Sequence, residues 1–329
     1  MTADGLAQAD WPTFGWQVDV RPALAAALDA GRAVTLATLY RVEGSAPRGP
    51  GAQMLFDGDQ AVGYFSGDCI EGDVARHAAE VLASGEPRHL HYGMGSPWID
   101  IRLRCGGALH IFVERIDADC PAAHGLLARG EARQVCLWQS DGKMREIASG
   151  SGPSLAYGQE PFRFARRFDP APRVIVSGGD PGALAMANLA MQAGFETILV
   201  RPGGPDAPPP FPVTHYLRGE PADVLAEVGI DGWTAYVGAT HEDHHDLGGC
   251  LAALRGKAAW VGMIGARSRS EGRMAALRAT GASEEELARL HLNPGDPALG
   301  KAPFEVATGI LAEVMKSFAR IGAQNDQTS

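Results

Sequence analysis

The chain has 329 residues, of which 45% are hydrophobic and 21% charged, a composition typical of a soluble globular protein rather than a disordered one. Its formal net charge of −10 argues against nucleic-acid binding, which depends on neutralising phosphates with Lys and Arg. The N-terminal stretch lacks the basic and apolar regions of a signal peptide, and no apolar run approaches the roughly 18 residues that span a bilayer. We therefore expect a cytoplasmic protein with no membrane partner.

The first half of the chain predicts an α+β domain that is rich in strands. Strands are expected at residues 33–42, 52–56, 61–66, 88–92, 108–114, 133–139 and 143–147. A hairpin turn is expected at 57–60. A helix is expected at 73–83, because its apolar residues recur at helical spacing. They are Val74, Ala78, Val81 and Leu82.

The stretch 149–161, SGSGPSLAYGQEP, is rich in Gly, Ser and Pro and predicts a linker. We place this linker at 151–170, between a domain at 1–150 and a domain at 171–329. Beyond it strands alternate with helices, the pattern of a parallel sheet with helices on both faces. Strands are expected at 173–177, 197–200, 213–217, 234–237 and 259–264. Helices are expected at 182–193, 221–228, 246–254, 268–280 and 303–321. A further short helix is expected to begin at Ser283, where the sequence has a capping box. The predicted fold class is α/β, with a Rossmann-like C-terminal domain.

The turn Ser177–Gly182 follows a strand and precedes a helix, where a dinucleotide-binding protein holds a pyrophosphate. It reads S-x-G-x-x-G, with Ser in the first glycine position and a Pro that removes one N–H donor. An acidic residue is expected about 20 residues further on, to bind a ribose hydroxyl. Arg201 stands there instead. The turn therefore predicts a Rossmann-like fold and disfavours NAD(P), although an NAD(P)-dependent oxidoreductase stays the alternative function.

Two glycine-rich loops of the first domain carry groups that could bind an anion or a metal. The loop 44–51, GSAPRGPG, combines Arg48 with the flexible Gly49 and Gly51, which suits a phosphate; the alternative is a long turn between strands. Cys69 and Glu71 lie in GDCIEG just before a helix, where the thiolate form is favoured and is a soft metal ligand. The alternative there is a buried turn cysteine. Cys105, in RCGG, is a second thiol in a tight turn.

Three segments of the second domain are further candidates. The segment 240–246, THEDHHD, offers His241 and Asp246, the latter as an expected helix N-cap. It could line a ligand cleft, or hold the metal of a hydrolase through His241, Asp243, His244 and Asp246. Arg267, Ser268 and Arg269 follow a strand and precede a helix, a favourable place for an anion. Glu305 lies in the first turn of the last helix, where capping is the simpler role.

Six motifs stand in order along the chain: GSAPRGPGAQML, SGDCIEG, LRCGG, the TH…D loop, IGARSR and PFEVATGILAE. Together they resemble the xanthine dehydrogenase accessory factor family, XdhC/CoxI, and the resemblance covers nearly the whole chain. It implies an N-terminal XdhC/CoxI-type domain followed by a Rossmann-like domain. The chain departs from the family's GAGH-type turn, because it reads GGDP at residues 178–181.

The resemblance implies a chaperone that binds molybdenum cofactor, protects it, supports its sulfuration with a cysteine desulfurase, and inserts it into a xanthine-dehydrogenase-family molybdoenzyme. It favours a non-enzymatic accessory protein over an enzyme. The cargo is molybdopterin or its cytosine dinucleotide form, and a homodimer stays open. The cofactor-binding residues so implied are Arg48, Gly49, Gly51, Cys69, Glu71, Cys105, His241, Asp246, Arg267, Ser268, Arg269 and Glu305. Cys69 is the expected molybdenum contact.

Overall fold

The computed structural model describes residues 17–58, 60–96, 103 and 106–327. The chain divides into two compact units, residues 1–170 with 325–329, and residues 171–324. Within the described ranges, no helix combines the length and the apolar character needed to cross a bilayer.

The first unit is built from two antiparallel sheets and their helices. The described helices are α1 (Arg21–Asp29), α2 (Glu71–Ser84) and α3 (Pro121–Glu131). The strands are β1 (Val34–Glu43), β2 (Gln53–Asp57), β3 (Gln60–Gly63), β4 (Arg88–Gly93), β5 (Ala108–Ile116), β6 (Cys136–Ser140), β7 (Arg145–Ser149), β8 (Leu155–Gln159) and β9 (Phe162–Phe168). The sheets have the orders β3-β2-β1-β5-β4 and β7-β6-β9-β8. This confirms the expected α+β unit, and the pairing of Asp57 with Gln60 confirms the hairpin.

The expected linker at 151–170 is not a linker over most of its length. Strands β8 and β9 occupy residues 155–159 and 162–168, and β9 pairs with β6. Burial is the physical reason, because Phe164 and Phe168 pack beside Trp138 in one apolar cluster. Gly158 lies inside β8, the other glycines and prolines of this stretch lie between strands, and the first compact unit continues to Pro170.

Helix α2 covers one face of the first sheet. Val74, Ala78 and Val81 are buried against that sheet, as the helical spacing predicts, while Leu82 is half-buried. Glu71 and Asp73 lie in its first turn, where carboxylates favour the positive end of the helix dipole. Gly85 ends the helix with a φ of 75°, a left-handed conformation that glycine adopts without strain.

The second unit is a parallel sheet covered by helices on both faces. Its strands are β10 (Arg173–Gly178), β11 (Glu196–Val200), β12 (His215–Leu217), β13 (Thr234–Ala239), β14 (Trp260–Met263) and β15 (Leu290–Leu292). Its described α-helices are α4 (Pro181–Gln192), α5 (Pro221–Val228), α6 (Asp243–Arg255), α7 (Ser270–Ala279), α8 (Glu284–Ala288) and α9 (Pro303–Gln327), the last running into residues 325–327. The strand order is β12-β11-β10-β13-β14-β15, and every described pair is parallel.

Numbered within this unit, that order is 3-2-1-4-5-6, the order of Rossmann domains. The expected Rossmann-like sheet is therefore confirmed. The order reverses between β10 and β13, and such sheets bind ligands at the carboxyl ends of the strands beside this point. Residues 178–182 follow β10 and residues 240–246 follow β13, so the fold brings these two segments to one position.

Gly93→Ala tests how tightly β4 packs against the residues before β5. A Cβ at Gly93 would overlap the Gly107 carbonyl and lie 2.9 Å from the Ala108 Cα, whereas Gly85 has open space around it. Both glycines have positive φ, so Gly85→Ala is a control for backbone strain alone. We expect Gly93→Ala to lower the free energy of unfolding by about 1–3 kcal/mol more than the control, in urea melts. Equal losses would contradict the close approach.

Candidate functional site

The glycine-rich loops of the first unit meet at one end of the first sheet. Strand β1 ends at Glu43, which pairs with Ala108 at the start of β5, and Ala108 also pairs with Gly93 at the end of β4. Strand β3 likewise ends at Gly63, beside the start of β2. Antiparallel pairing therefore places the loops after β1, β3 and β4 at this end. We call it the loop edge of the first unit.

Contacts between backbones join two of the sequence motifs at the loop edge. A Cβ at Gly44 would lie 3.4 Å from the Gly107 Cα, and a Cβ at Gly107 would overlap the Ser45 carbonyl. The GSAPRGPG loop and the end of the LRCGG motif thus touch because Gly107 has no side chain. Cys105 lies outside the described residues, so its place at this edge stays a prediction.

Arg48 brings a cation with an unused donor to the loop edge. Its guanidinium carbon lies 4.8 Å from the centre of the Tyr64 ring, a cation–π contact. Its Nη1 is buried and has no hydrogen-bond partner among the described residues. A buried donor without an acceptor costs about 1–3 kcal/mol, so Nη1 is suited to an anion that completes its hydrogen bonds. Gly49 is exposed beside it.

Arg166, which the sequence analysis did not single out, is a second cation at the same loop. Its Nε donates to the Gly51 carbonyl at 2.7 Å, and its guanidinium lies over the Phe168 ring at 3.8 Å. Its Nη1 is also buried and finds no partner within the part of the chain that the structure describes. Burial lowers the pKa of Arg166 to about 10, although Asp19 partly opposes the shift. The guanidinium still carries its charge at neutral pH.

Cys69 lies in the loop that follows β3. The residue is half-buried and packs against the same apolar cluster as Ala46 of the GSAPRGPG loop. Its backbone N–H donates to the Ser66 Oγ at 3.0 Å. Cys69 therefore has a backbone fixed by a hydrogen bond and a partly exposed side chain, two properties that suit a residue in contact with a ligand.

Glu71 shapes this loop from within. Its buried carboxylate accepts hydrogen bonds from five backbone N–H groups and one hydroxyl, at 2.6–3.2 Å. The donors are Phe65, Ser66, Gly67, Asp68 and Ile70. Burial raises the pKa of the Glu71 carboxyl, but the hydrogen bonds from Ser66 and Phe65 outweigh it, so the net pKa is lowered. With its acceptors already engaged, Glu71 positions Cys69 rather than binding a ligand itself.

Glu71→Gln tests this role through its pH dependence. The amide NH₂ of Gln would face the backbone donors, so we expect a loss of about 3 kcal/mol in unfolding free energy at pH 7. The lowered pKa means that wild type gains this stability only above the unfolded-state pKa, about 4.3, and loses it as pH falls. The gap between wild type and variant should therefore narrow below about pH 4 in denaturant melts.

Glu86→Gln is the control for this measurement, because the Glu86 side chain is 73% exposed. It should leave stability unchanged at every pH. A Glu71→Gln protein that matches wild type at pH 7, or a gap independent of pH, would contradict the positioning role.

Asp246 plays a similar part in the second unit. Its buried carboxylate accepts hydrogen bonds from the Thr240 N–H at 2.9 Å, the Thr240 hydroxyl at 2.8 Å and the His241 N–H at 3.2 Å. The expectation that Asp246 is a helix N-cap is wrong, because α6 begins at Asp243 and Glu242 occupies the cap position. The acceptors of Asp246 instead hold the strand-to-helix loop, including His241 with its φ of 64°.

The glycine turn after β10 is closed by the protein's own groups. The Asp180 carboxylate accepts from the Ala183 N–H at 2.7 Å, so it caps α4 where a bound phosphate would accept. The same carboxylate meets His241 Nε2 at 3.0 Å. The Arg201 side chain crosses Gly179 so closely that a Cβ there would lie 2.8 Å from the Arg201 Cδ. A pyrophosphate at this turn would have to displace both groups.

Arg267, Ser268 and Arg269 form a 3-10 turn after β14, and all three are exposed. Arg269 pairs with Asp243 at 2.7 Å. The Arg267 backbone carbonyl accepts from the Ser270 N–H, but its guanidinium has no hydrogen bond or ion pair to any residue of the described ranges, so its charge is available to a ligand. The buried Arg273, another residue that the sequence analysis missed, contacts Asp243 at 3.1 Å and the Ile264 carbonyl at 3.1 Å.

Glu305 has the capping role that the sequence allowed. Its carboxylate accepts from the Ala302 N–H at 2.8 Å, three residues before it, at the start of α9. A Cβ at Gly300 would lie 2.7 Å from the Glu305 carboxyl carbon, so glycine makes room for this cap. The side chain is thus directed to its own helix end.

The ligand set expected for a metal hydrolase does not come together in the described residues. Asp243 pairs with Arg269 and Arg273, Asp246 holds the loop, and His241 pairs with Asp180. A different group converges, namely Glu242, His244 and His245.

Comparisons with known proteins cover both units. A family model described as the XdhC and CoxI family matches residues 27–93, and one described as the XdhC Rossmann domain matches residues 174–314. The chain is 28% identical over 289 residues to the molybdenum cofactor insertion chaperone PaoD of Escherichia coli, covering 88% of this chain and 84% of PaoD. It is 24% identical over 328 residues to a probable xanthine dehydrogenase subunit from Bacillus subtilis, covering 91% of this chain and 97% of that protein.

A solved structure described as a xanthine dehydrogenase from Bacillus halodurans has a similar fold. Its TM-score is 0.70 at 21% sequence identity, and the match covers 91% of this chain and 96% of that one. The likeness extends over both units and supports the fold alone.

Proposed function

This chain belongs to the XdhC and CoxI family, and from that membership we propose that it is a molybdenum cofactor chaperone. It binds the cofactor, protects it, and inserts it into an apoenzyme of the xanthine dehydrogenase family. The match to PaoD, a molybdenum cofactor insertion chaperone, along most of both chains supports this role. The protein acts as a cytoplasmic accessory factor rather than as an enzyme.

The observation that carries the proposal is the pair of unused guanidinium nitrogens at the loop edge. Arg48 and Arg166 each bury an Nη1 without a partner among the described residues, around a loop that Arg166 holds by the Gly51 carbonyl. The cofactor is anionic through its phosphate, and charge-assisted hydrogen bonds from guanidinium groups suit that phosphate. The half-buried Cys69 supplies a soft sulfur for the molybdenum end.

Some residues at the loop edge contact the cofactor, and others hold those residues in position. Arg48 binds the phosphate end, with Gly49 and Gly51 allowing close approach, and Cys69 contacts molybdenum. Cys105 is the alternative thiol. Glu71 supports Cys69 by ordering its loop, since its own acceptors are engaged.

The second unit offers its own groups for an anionic cargo. Arg267 is the alternative to Arg48 for the phosphate, with Ser268, Arg269 and His241 as further polar contacts. Asp246 supports His241 through the hydrogen bonds of the loop, and Glu305 supports the start of α9. Variants of Arg48 and Arg267 distinguish the two phosphate positions.

A cysteine desulfurase that binds this protein supplies the sulfur for sulfuration of the cofactor. The sulfurated cofactor is then inserted into the molybdoenzyme. A homodimer and either form of the cargo, molybdopterin or its cytosine dinucleotide, are compatible with the proposal.

An NAD(P)-dependent oxidoreductase is the competing function, and the Rossmann strand order favours it. The turn after β10 argues against it. Asp180 places a carboxylate where a pyrophosphate would accept hydrogen bonds, and two like charges at one helix terminus repel. Arg201 also lies across the turn at Gly179.

Titration of the purified protein with cofactor released from a molybdoenzyme separates the two functions. We expect binding at micromolar or tighter affinity, read from the pterin fluorescence, and no oxidation of NADPH in the presence of candidate substrates. Stoichiometric NADPH binding with turnover, together with no cofactor binding, would establish the oxidoreductase instead.

Substitution of the two proposed contacts tests the site. Arg48→Ala should weaken cofactor binding by about 1.5–3 kcal/mol through loss of a charged hydrogen bond, and Arg267→Ala should do so instead if the phosphate lies there. Cys69→Ser should impair retention or delivery of the cofactor without changing the melting temperature, because the replacement is nearly isosteric.

Matched controls are Arg163→Ala, an exposed arginine of β9, and Cys120→Ser, a half-buried cysteine before α3. Both should bind cofactor as wild type does. Normal binding by Arg48→Ala and Arg267→Ala together would remove the phosphate assignment. A Cys69→Ser protein that melts several degrees lower but binds normally would make Cys69 a packing residue.

A further inference from the structure

Three potential metal ligands lie together where α6 begins. Glu242 is the residue before the helix, and His244 and His245 are in its first turn. The Glu242 backbone is fixed by the Thr240 hydroxyl, which accepts its N–H at 3.1 Å. One ligand atom from each of Glu242, His244 and His245 lies within 4.8 Å of the others.

The three ligand atoms lie near one another, and the His244 and His245 rings pack with their centroids 3.8 Å apart. The Glu242 Oε2 lies 3.9 Å from the His244 Nε2 and 3.9 Å from the His245 Nε2. Neither separation is short enough for a hydrogen bond. Zn²⁺ with bonds of about 2.0–2.1 Å holds tetrahedral N and O ligands about 3.3 Å apart, so a small rotation of exposed side chains closes the set.

A second carboxylate already orients one of the imidazoles. Glu220 is the residue that precedes α5, and its Oε2 lies 2.6 Å from the His245 Nδ1. A hydrogen bond donated by Nδ1–H to a carboxylate leaves the lone pair on Nε2, which is the nitrogen that faces Glu242. Metal-binding histidines in proteins commonly have such a carboxylate partner, which fixes the ring and its tautomer.

The neighbouring acids have other partners and do not join the set. Asp243 pairs with Arg269 and Arg273, and Asp246 accepts from Thr240 and His241. Glu242 and His244 are exposed, while His245 is held against Glu220 with 12% of its side chain exposed. The set therefore has two adaptable ligands around one fixed ligand, and solvent can supply a fourth.

We propose that Glu242, His244 and His245 form a Zn²⁺ site, with Glu220 orienting His245. Two imidazoles and one carboxylate suit a borderline divalent ion, and an exposed site leaves room for water. The start of α6 carries the positive end of a helix dipole, which lowers the affinity for a cation. We therefore expect micromolar binding. The set goes beyond the proposed chaperone function and differs from the hydrolase set considered from the sequence.

The test uses Co²⁺ as a spectroscopic substitute for Zn²⁺ in the full-length protein, first stripped with a chelator. Wild type should bind one Co²⁺ per chain at micromolar affinity, with visible absorption of a nitrogen-ligated ion that added Zn²⁺ abolishes. His244→Ala and His245→Ala should each abolish that absorption at micromolar metal. Glu220→Gln should weaken binding by about 10–100-fold, as a lost outer partner does.

His215→Ala is the matched control, because His215 is an exposed histidine of β12 in the same unit. It should bind Co²⁺ as wild type does, and His244→Ala should keep the wild-type melting temperature because its side chain is exposed. No Co²⁺ binding by wild type at 100-fold excess over the protein would overturn the proposal. So would binding that His244→Ala and His245→Ala leave unchanged.

Discussion

A buried carboxylate in the first turn of a helix organises the candidate loops in each unit. Glu71 accepts hydrogen bonds from five backbone N–H groups of the loop before α2. Asp246 accepts them from the backbone N–H groups of Thr240 and His241, which precede α6. A buried charge is costly unless it is hydrogen-bonded, so each acid is stable only when its loop is closed around it. The loop conformation and the charge therefore depend on each other. Cys69 and His241 take their positions from this coupling.

Whereas the carboxylates of Glu71 and Asp246 have hydrogen-bond partners, the loop edge of the first unit has hydrogen-bond donors without partners in the described chain. Arg48 and Arg166 stack on Tyr64 and Phe168, which fixes both guanidinium groups while leaving one buried nitrogen of each without a partner in the described chain. Burial and, to a smaller extent, the charge of Arg48 lower the pKa of Arg166, and a nearby anion offsets both effects. The edge is thus prepared for a negatively charged ligand. The turn after β10 differs, because Asp180 already supplies an acceptor there.

The periodicity of the sequence predicted the elements that have strong local signals. Strand alternation and the apolar face of α2 were sufficient, and the capping box at Ser283 was confirmed atom by atom. Helices α1 and α3 and the three-residue strand β15 were missed. Strands β8 and β9 were missed because Gly, Ser and Pro around them indicated a linker, while Phe164 and Phe168 of β9 are buried in a sheet that pairs β9 with the distant β6.

The sequence predicted which motifs belong to the candidate site, but it predicted few of the contacts that their side chains make. The sequence identified Arg48 and Cys69 because both lie in glycine-rich loops, and the loop of His241 because its histidines and acids follow a strand. It missed Arg166 and Arg273, because their partners lie at Gly51, Asp243 and Ile264, which only the fold brings near. It also assigned ligand roles to Glu71 and Asp246, whose oxygens are engaged by their own loops. The partners of Arg166 depend on a long-range contact, whereas Glu71 and Asp246 bind residues at most six positions away once their loops close, a geometry that residue types alone do not show.

Hydrogen–deuterium exchange with and without molybdenum cofactor tests the central claim most directly, because it locates the bound cargo on the whole chain. The account predicts slower exchange in peptides covering residues 44–51 and 65–72 when cofactor is present. The peptide covering residues 178–182 should exchange as in the free protein, since Asp180 already caps that helix. Protection confined to 178–182, with no change at 44–51 and 65–72, would contradict the account and would place the ligand at the Rossmann turn.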